Sequence, residues 1–217
     1  MWVSYRHQHT DLPATLSFED KIDVFYAQTF GWQLHIADLI ANSGATLEAP
    51  GGRPSYHVDA IEHSGFAVLH ICLSYLELVG SMIETHGSKK RFKAGARHVF
   101  PNHFHGSSFD EPFLERLYDG ARCGLYHAAR TRQRVGLGEP HDGTALMYIP
   151  EDDRVIISPS RLPTALITHL SQFKLELLDT KNTQIRDEFV RQFDRGFEQH
   201  PSAVKKAAKV PKARRHP

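Results

Sequence analysis

One arginine and one histidine in this chain are spaced so that they could cleave a phosphodiester without a metal. They belong to the stretch Arg122-Cys-Gly-Leu-Tyr-His127, where four residues separate them inside an amphipathic pattern. Arginine holds a phosphate with a planar, permanently charged set of donors, and histidine gives or takes a proton near neutral pH. The pair predicts that Arg122 binds a phosphate and that His127 acts as a general acid or base.

The spacing of this pair is common in the chain, so its surroundings have to select it. With 16 arginines and 15 histidines, about three pairs with four to six intervening residues are expected by chance, and five occur. The other four are Arg91/His98, Arg97/His103, Arg134/His141 and Arg195/His200. Only Arg122/His127 falls inside one strongly patterned helix. Five positions of an ideal helix advance by about 500°, which leaves the two side chains about 140° apart, so the pair needs a groove with a second wall.

Two helices are expected to position this pair. The helix that carries it begins at Asp110 as its cap, with Glu111 and Pro112 in the first turn. Its expected buried face is Leu114, Leu117, Ala121, Leu125 and Ala128. The helix before it is the most apolar of the chain and runs from about Ile61 or Phe66 to about His86, where Gly87 ends it. Its core stripe is Phe66, Leu69, Leu73, Leu76, Val79 and Ile83, and apolar residues on its other sides indicate a central bundle helix or an interface helix.

The remaining segments complete a mainly α fold. Ser17 caps a first helix that Gly31 bends or splits, and residues 89–102 form a basic connector or short helix. Ala145–Ile149 and Val155–Ser158 predict a β-hairpin, and a last long helix spans about 162–199 with a break near 179–182. The expected fold is therefore a helical bundle with a small β-hairpin before the last long helix.

Charge is distributed unevenly along the chain. Residues 203–217 carry six basic groups and no acid, which predicts a disordered basic tail, whereas residues 1–202 carry a net charge of −5 and are expected to form one domain. The tail is either solvated or in nonspecific contact with nucleic-acid phosphates. An acidic body favours a local site over a broad nucleic-acid surface. No apolar run spans a bilayer and the N-terminus lacks an apolar signal stretch, so we expect a cytoplasmic protein with no membrane partner.

A long apolar helix, a charged connector and a second helix with R-x4-H together resemble the HEPN superfamily, whose motif is an arginine and a histidine four to six residues apart. The resemblance covers mainly residues 60–130, and it implies a HEPN-like core over about 60–200. Many HEPN proteins are metal-independent endoribonucleases, and several act as toxins or in antiviral defence. Their active groove usually forms between two protomers. Family members often place a polar residue directly after the arginine, where this chain has Cys123.

By this resemblance Arg122 and His127 would be the catalytic pair. The implied reaction is attack by a ribose 2′-hydroxyl on the adjacent phosphate, which leaves a 2′,3′-cyclic phosphate and a free 5′-hydroxyl. RNA would be the substrate, the protein would be a homodimer, and an antitoxin or regulatory partner would control it. Tyr126, Arg130 and Arg132 are candidate substrate-binding residues, through the RNA backbone or by stacking on a base. Surface charge and ordinary packing are the simpler explanation of these three residues.

Two structural alternatives remain open for the central pair. Arg122 can pair with Asp119 or Glu115 on its own helix, and His127 can be a satisfied polar residue at a bundle edge. The chain would then be a non-catalytic HEPN-like module that binds a protein or a nucleotide.

Other site chemistries have weaker support in the sequence. His98, His103 and His105 cluster as metal ligands do, but the chain has neither His-Glu-x-x-His nor Cys-x-x-Cys. It also lacks a glycine-rich phosphate loop and a Gly-x-Ser-x-Gly elbow. We therefore expect no metal site and no cofactor.

Overall fold

The most apolar segment of the chain forms helix α3, Gly65–Ser81, at the centre of the fold. Leu69, Leu73, Leu76 and Val79 are fully buried, and so are Val68, Cys72 and Tyr75 on other sides of the helix. Burial on several sides confirms a central bundle helix. The two ends of the predicted stripe, Phe66 and Ile83, are exposed. The computed structural model describes residues 4, 6–8, 12–13, 15–44, 46–47, 56–57, 59–84, 86–104 and 106–198, so the basic tail at 203–217 lies outside the described residues.

Helix α4, Ser88–Val99, runs back along α3 at very short range. A Cβ atom on Gly80 of α3 would lie 1.7 Å from the carbonyl oxygen of Arg91, and one on Gly95 would lie 1.8 Å from that of Leu76. The two backbones therefore touch where both helices lack a side chain. The sequence predicted that Gly87 ends α3. That prediction was wrong, because α3 ends at Ser81 and Gly87, with φ of 63°, is the N-cap residue of α4.

The N-terminal helix is split at the glycine that the sequence indicated. Helix α1, Phe18–Thr29, begins with a capping box in which Ser17 and Asp20 each accept the other's backbone N–H, at 3.1 and 2.9 Å. At Phe30–Leu34 the helix widens into a π-helical turn, π1, before continuing as α2, His35–Ala41.

The helix that carries the Arg122/His127 pair is also interrupted. It comprises α5, Asp110–Glu115, a second π-helical turn π2, Arg116–Arg122, and α6, Cys123–Ala128. Leu114, Leu117, Ala121 and Leu125 are buried as predicted, whereas Ala128 is exposed. Phe109, and not Asp110, is the N-cap residue. The Asp110 carboxylate instead accepts the Gly106 N–H at 2.8 Å and the Ser107 hydroxyl, so it fixes the turn before the helix.

The predicted hairpin is confirmed and belongs to a three-stranded sheet. Strands β4, Leu146–Ile149, and β5, Arg154–Ile157, pair antiparallel, with Tyr148 opposite Val155. Strand β3, Val135–Leu137, follows α6 and adds to β5 in parallel, so the strand order is β3-β5-β4. Earlier in the chain, two strands of two residues each pair antiparallel: β1, Thr46–Leu47, and β2, Tyr56–His57.

The C-terminal segment is two helices separated at the predicted break. Helix α7, Leu162–Leu178, and helix α8, Thr183–Glu198, pack on α1 through aromatic rings. Phe25 of α1 meets Phe173 at 6.3 Å and Phe189 at 5.4 Å between ring centroids. Together these elements confirm a mainly helical fold with a small sheet before the final helices. Among the described helices, none combines the length and apolar character needed to cross a membrane.

Candidate functional site

Arg122 is held in place by an acid from the central helix. It is the last residue of π2, and its Nε and Nη2 atoms donate to the same oxygen, Oε2 of Glu77 in α3, at 3.1 and 2.8 Å. The two side chains are only 17% and 26% exposed. Burial lowers the pKa of Arg122, but the hydrogen bond and the charge of Glu77 outweigh it, so this pKa lies above its ordinary value. Arg122 is thus a fixed cation at the edge of the bundle.

The alternative in which Arg122 pairs with Asp119 or Glu115 on its own helix is not what the structure has, since its ion pair is with Glu77. Asp119 and Glu115 are instead engaged by lysines of α4: Lys89 pairs with both acids, and Lys93 pairs with Glu115. The basic patch that the sequence indicated on α4 is therefore compensated by acids of α5 and π2. These contacts leave Glu77, 45 positions before Arg122, as the partner of the arginine.

Tyr126 lies one helical turn after Arg122 and covers its guanidinium. The Cζ atom of Arg122 is 4.4 Å from the centroid of the Tyr126 ring and 5.7 Å from that of Tyr118. At the shorter distance the ring face attracts the cation. Tyr126 itself is 40% exposed, so part of its side chain is open to solvent.

A histidine from α3 lies against the same ring. The His70 imidazole stacks on Tyr126 with ring centroids 4.1 Å apart and an interplanar angle of 27°. The imidazole of His70 and the guanidinium of Arg122 therefore both lie against the Tyr126 ring. The sequence reasoning did not identify His70 or Glu77. The signal that could have found them is the polar strip that His70, Ser74 and Glu77 make at helical spacing on an otherwise apolar helix.

His127 follows Tyr126 and is exposed. Its side chain makes no hydrogen bond or ion pair with any residue that the structure describes, Arg122 included. The expected divergence of the pair is consistent with this geometry, because Tyr126 at four positions, and not His127 at five, shares the face of Arg122. His127 is exposed at the protein surface, and the alternative that it is a satisfied polar residue at a bundle edge stays open, because water can satisfy an exposed imidazole.

The chain reverses direction after α6, and the returning segment contains two more arginines, Arg130 and Arg132. Ala129 has a left-handed conformation with φ of 53°, and the Arg132 N–H then reaches the Gly120 carbonyl at 2.9 Å. This return needs Gly124, because a Cβ there would lie 2.6 Å from the Arg130 carbonyl oxygen. The Arg130 and Arg132 side chains are exposed, and neither forms an ion pair with a described residue.

A shallow apolar pocket opens one turn of α3 before His70. Phe66 and His63 form one wall, and Leu137, Gly138 and Pro159 form the other. The pocket has a volume of about 390 Å³. The packing that shapes it is tight, since a Cβ on Gly65 would lie 2.9 Å from Cδ1 of Leu137. The pocket and the His70 ring therefore lie along one edge of α3.

Two of the clustered histidines that could have been metal ligands contact other protein groups. His98 bonds through Nδ1 to Nε2 of His169 at 2.9 Å and through Nε2 to Glu176 at 3.2 Å. His103 contacts the carbonyl oxygen of Leu146 at 3.0 Å, and His105 lies outside the described residues. In the part of the chain that the structure describes, no group of three or more histidine, cysteine or acidic side chains is arranged to hold a metal.

The chemistry available around Arg122 follows from its free donors. A guanidinium has five N–H donors, and Glu77 accepts two of those of Arg122, so three remain for an anion. Two exposed histidines and two exposed arginines lie close by in sequence or in space. Such an arrangement can bind a phosphate and exchange protons near it.

Comparisons of this chain with protein-family models, with curated proteins and with solved structures found no match.

Proposed function

We propose that this chain is a metal-independent endoribonuclease of HEPN type, with Arg122 and His127 as its catalytic pair. The observation that carries the proposal is Arg122 itself: a partly buried cation, fixed by Glu77 and Tyr126, that keeps three unused donors. A fixed cation loses little entropy when it binds a phosphate. His127, exposed on the next turn of the same helix, is free to exchange a proton.

In the proposed reaction the ribose 2′-oxygen attacks the adjacent phosphorus while the bond to the 5′-oxygen of the next nucleotide breaks. Arg122 would hold the non-bridging oxygens and stabilise the charge that grows on them. His127 would transfer a proton to or from the reacting oxygens, a contribution of about a hundred- to ten-thousand-fold in rate. The products are a 2′,3′-cyclic phosphate and a free 5′-hydroxyl, and no water molecule is consumed.

The surrounding residues suit a single-stranded RNA. Arg130 and Arg132 are exposed cations on the return loop and would contact backbone phosphates. The apolar pocket beside Phe66 offers a surface on which an unpaired base can stack, and the exposed part of Tyr126 would contact the RNA beside Arg122. We further propose that the protein acts as a homodimer in the cytoplasm under the control of an antitoxin or regulatory partner, in a toxin or antiviral defence role, as the HEPN resemblance implies.

The test is incubation of the purified protein with total RNA in EDTA, followed by mapping of the new ends. We expect cleavage that leaves 2′,3′-cyclic phosphate and 5′-hydroxyl ends, and Arg122→Ala should abolish it. Cleavage that EDTA stops, or that leaves 5′-phosphate ends, would contradict the proposed mechanism. His141→Ala is the matched control, since His141 is also an exposed histidine but lies in the loop before β4.

A second candidate function rests on the same ion pair. Glu77 already neutralises Arg122, so the ion pair can be a structural contact between α3 and π2. The chain would then be a non-catalytic HEPN-like module that binds a protein or a nucleotide. Binding of RNA or of a nucleotide without any cleavage by the wild-type protein would favour this second function.

A further inference from the structure

We propose that His70 is the second proton-transfer residue of the Arg122 site, so that one protomer supplies both the acid and the base for RNA cleavage. This inference rests on the proposed ribonuclease function and goes beyond the Arg122/His127 pair. It is carried by the contact of both His70 and Arg122 with the Tyr126 ring, at 4.1 and 4.4 Å from the ring centroid.

The proposed reaction needs two proton transfers at different oxygens. The 2′-hydroxyl gives up its proton as its oxygen bonds to phosphorus, and the 5′-oxygen takes up a proton as its bond to phosphorus breaks. A neutral imidazole accepts the first proton, and an imidazolium donates the second. One histidine cannot hold both states at once, so the step balances when two histidines exchange them. Proton exchange with water then restores the starting states.

The geometry brings a second histidine to the site without a partner subunit. His70 comes from α3 and His127 from α6, and Tyr126 joins them, because it stacks on the first and is the chain neighbour of the second. Adjacent Cα atoms are about 3.8 Å apart, so the backbone of His127 directly follows the residue whose ring His70 contacts. Arg122 lies over that same ring.

His70 is also in a condition to transfer protons. Its side chain is exposed, and it makes no hydrogen bond or ion pair with the residues that the structure describes. Stacking uses the faces of the imidazole and leaves the two nitrogens at its edge. By contrast, His98 and His169 are close together but bond each other through ring nitrogens. Among these four histidines, only His70 and His127 have unused ring nitrogens.

The experiment measures cleavage of two oligoribonucleotides that differ in one atom. The first has the ordinary 5′-oxygen at the cleaved phosphate, and the second has sulfur in its place. A thiolate leaves without being protonated, so the second substrate needs no general acid. The proteins are the wild type, His70→Phe, His127→Ala and the control His141→Ala. The His70→Phe variant keeps a ring to stack on Tyr126 but cannot transfer a proton, and thermal melting verifies that it folds.

We expect His70→Phe and His127→Ala each to lose about a hundredfold or more on the ordinary substrate, and only one of them to regain cleavage on the sulfur substrate. A His70→Phe variant that cleaves ordinary RNA within threefold of the wild type would overturn the role of His70 and leave the proposed function standing. If both variants, or neither, regain cleavage on the sulfur substrate, the proposal that one histidine is the acid and the other the base would be overturned. A wild type that cleaves neither substrate would overturn the ribonuclease proposal and the role of His70 with it.

Discussion

Glu77 holds Arg122 through a single carboxylate oxygen, 2.8 Å from Nη2 and 3.1 Å from Nε. This ion pair joins the central helix α3 to π2, and it orients the guanidinium while leaving its other edge unpaired. A charge-assisted hydrogen bond between partly buried groups stabilises the fold, and removing one partner leaves the other desolvated. The pair is therefore structural and functional at once.

Substitutions of Arg122 and of Glu77 should have non-additive effects on the free energy of unfolding. We expect Arg122→Ala to lower the free energy of unfolding by about 1–3 kcal/mol, because Glu77 loses the partner of a partly buried charge. In a double-mutant cycle with Glu77→Gln, measured by urea denaturation, the coupling energy should be about 0.5–3 kcal/mol. Additive effects of the two substitutions would show that the contact does not stabilise the protein.

Tyr126 should act through its ring and not through its hydroxyl. Tyr126→Phe is expected to bind RNA as the wild type does, since the cation and His70 both contact the ring. Tyr126→Ala should weaken binding about twofold to tenfold, because Arg122 loses the ring that holds its guanidinium in place before RNA binds. The measurement is the Kd for an RNA whose 2′-hydroxyls are methylated, which binds without being cleaved. Equal Kd values for the Phe and Ala variants would contradict this role.

Acid should destabilise the protein through His169. Burial, and secondarily the charge of His98, lower the pKa of His169 to about 4, while its hydroxyl partner Tyr75 lies 2.8 Å away. Between the unfolded pKa of about 6.5 and the folded value, the unfolded state binds more protons, so stability is complete above pH 6.5 and falls as the pH drops towards 4. The expected loss is of the order of 3 kcal/mol.

Urea denaturation at several pH values tests this dependence. His169→Gln should flatten the pH profile between 6.5 and 4.5, where few carboxylates titrate. Tyr75→Phe is the control: it removes the hydrogen bond but leaves His169 buried, so the profile should keep its slope. An unchanged slope in His169→Gln would assign the acid sensitivity to other groups.

Adding one methyl group should have opposite effects at two glycines. Gly80→Ala would put its Cβ 1.7 Å from the Arg91 carbonyl oxygen, so α3 and α4 would have to separate, and we expect a loss of about 3 kcal/mol or more. Gly196→Ala lies in α8 with no atom within 4 Å of the added Cβ, and alanine favours a helix by about 1 kcal/mol. Thermal melting should show a lower Tm for the first and a higher Tm for the second. A Tm of Gly80→Ala equal to that of the wild type would contradict the close contact.

The sequence predicted correctly those helices and strands whose residue patterns depend only on neighbouring positions. The apolar pattern of α3, the break between α7 and α8, and the hairpin of β4 and β5 each depend on neighbouring residues, and all three are present. Strand β3 was missed, because three residues, Val135–Leu137, carry little pattern and pair in parallel with a distant strand. The π-helical turns were missed for a similar reason: their backbone bonds, such as Cys123 N–H to Tyr118 O, have no compositional signature.

The same distinction applies to the site. Arg122, Tyr126 and His127 were identified because they lie on one helix, whereas Glu77 and His70 come from another helix and reach the site only through packing. Spacing along the chain cannot report such contacts. The polar strip on α3 reports which face of that helix is special, but not what lies opposite it.

The most direct test of the ribonuclease proposal is the initial rate at which one labelled RNA is cleaved in EDTA by the wild type, His127→Ala and His141→Ala. We predict that the wild type and His141→Ala cleave at equal rates and that His127→Ala is slower by about a hundredfold or more. Equal rates for all three proteins, or no cleavage by any of them, would contradict the assignment of RNA cleavage to this site.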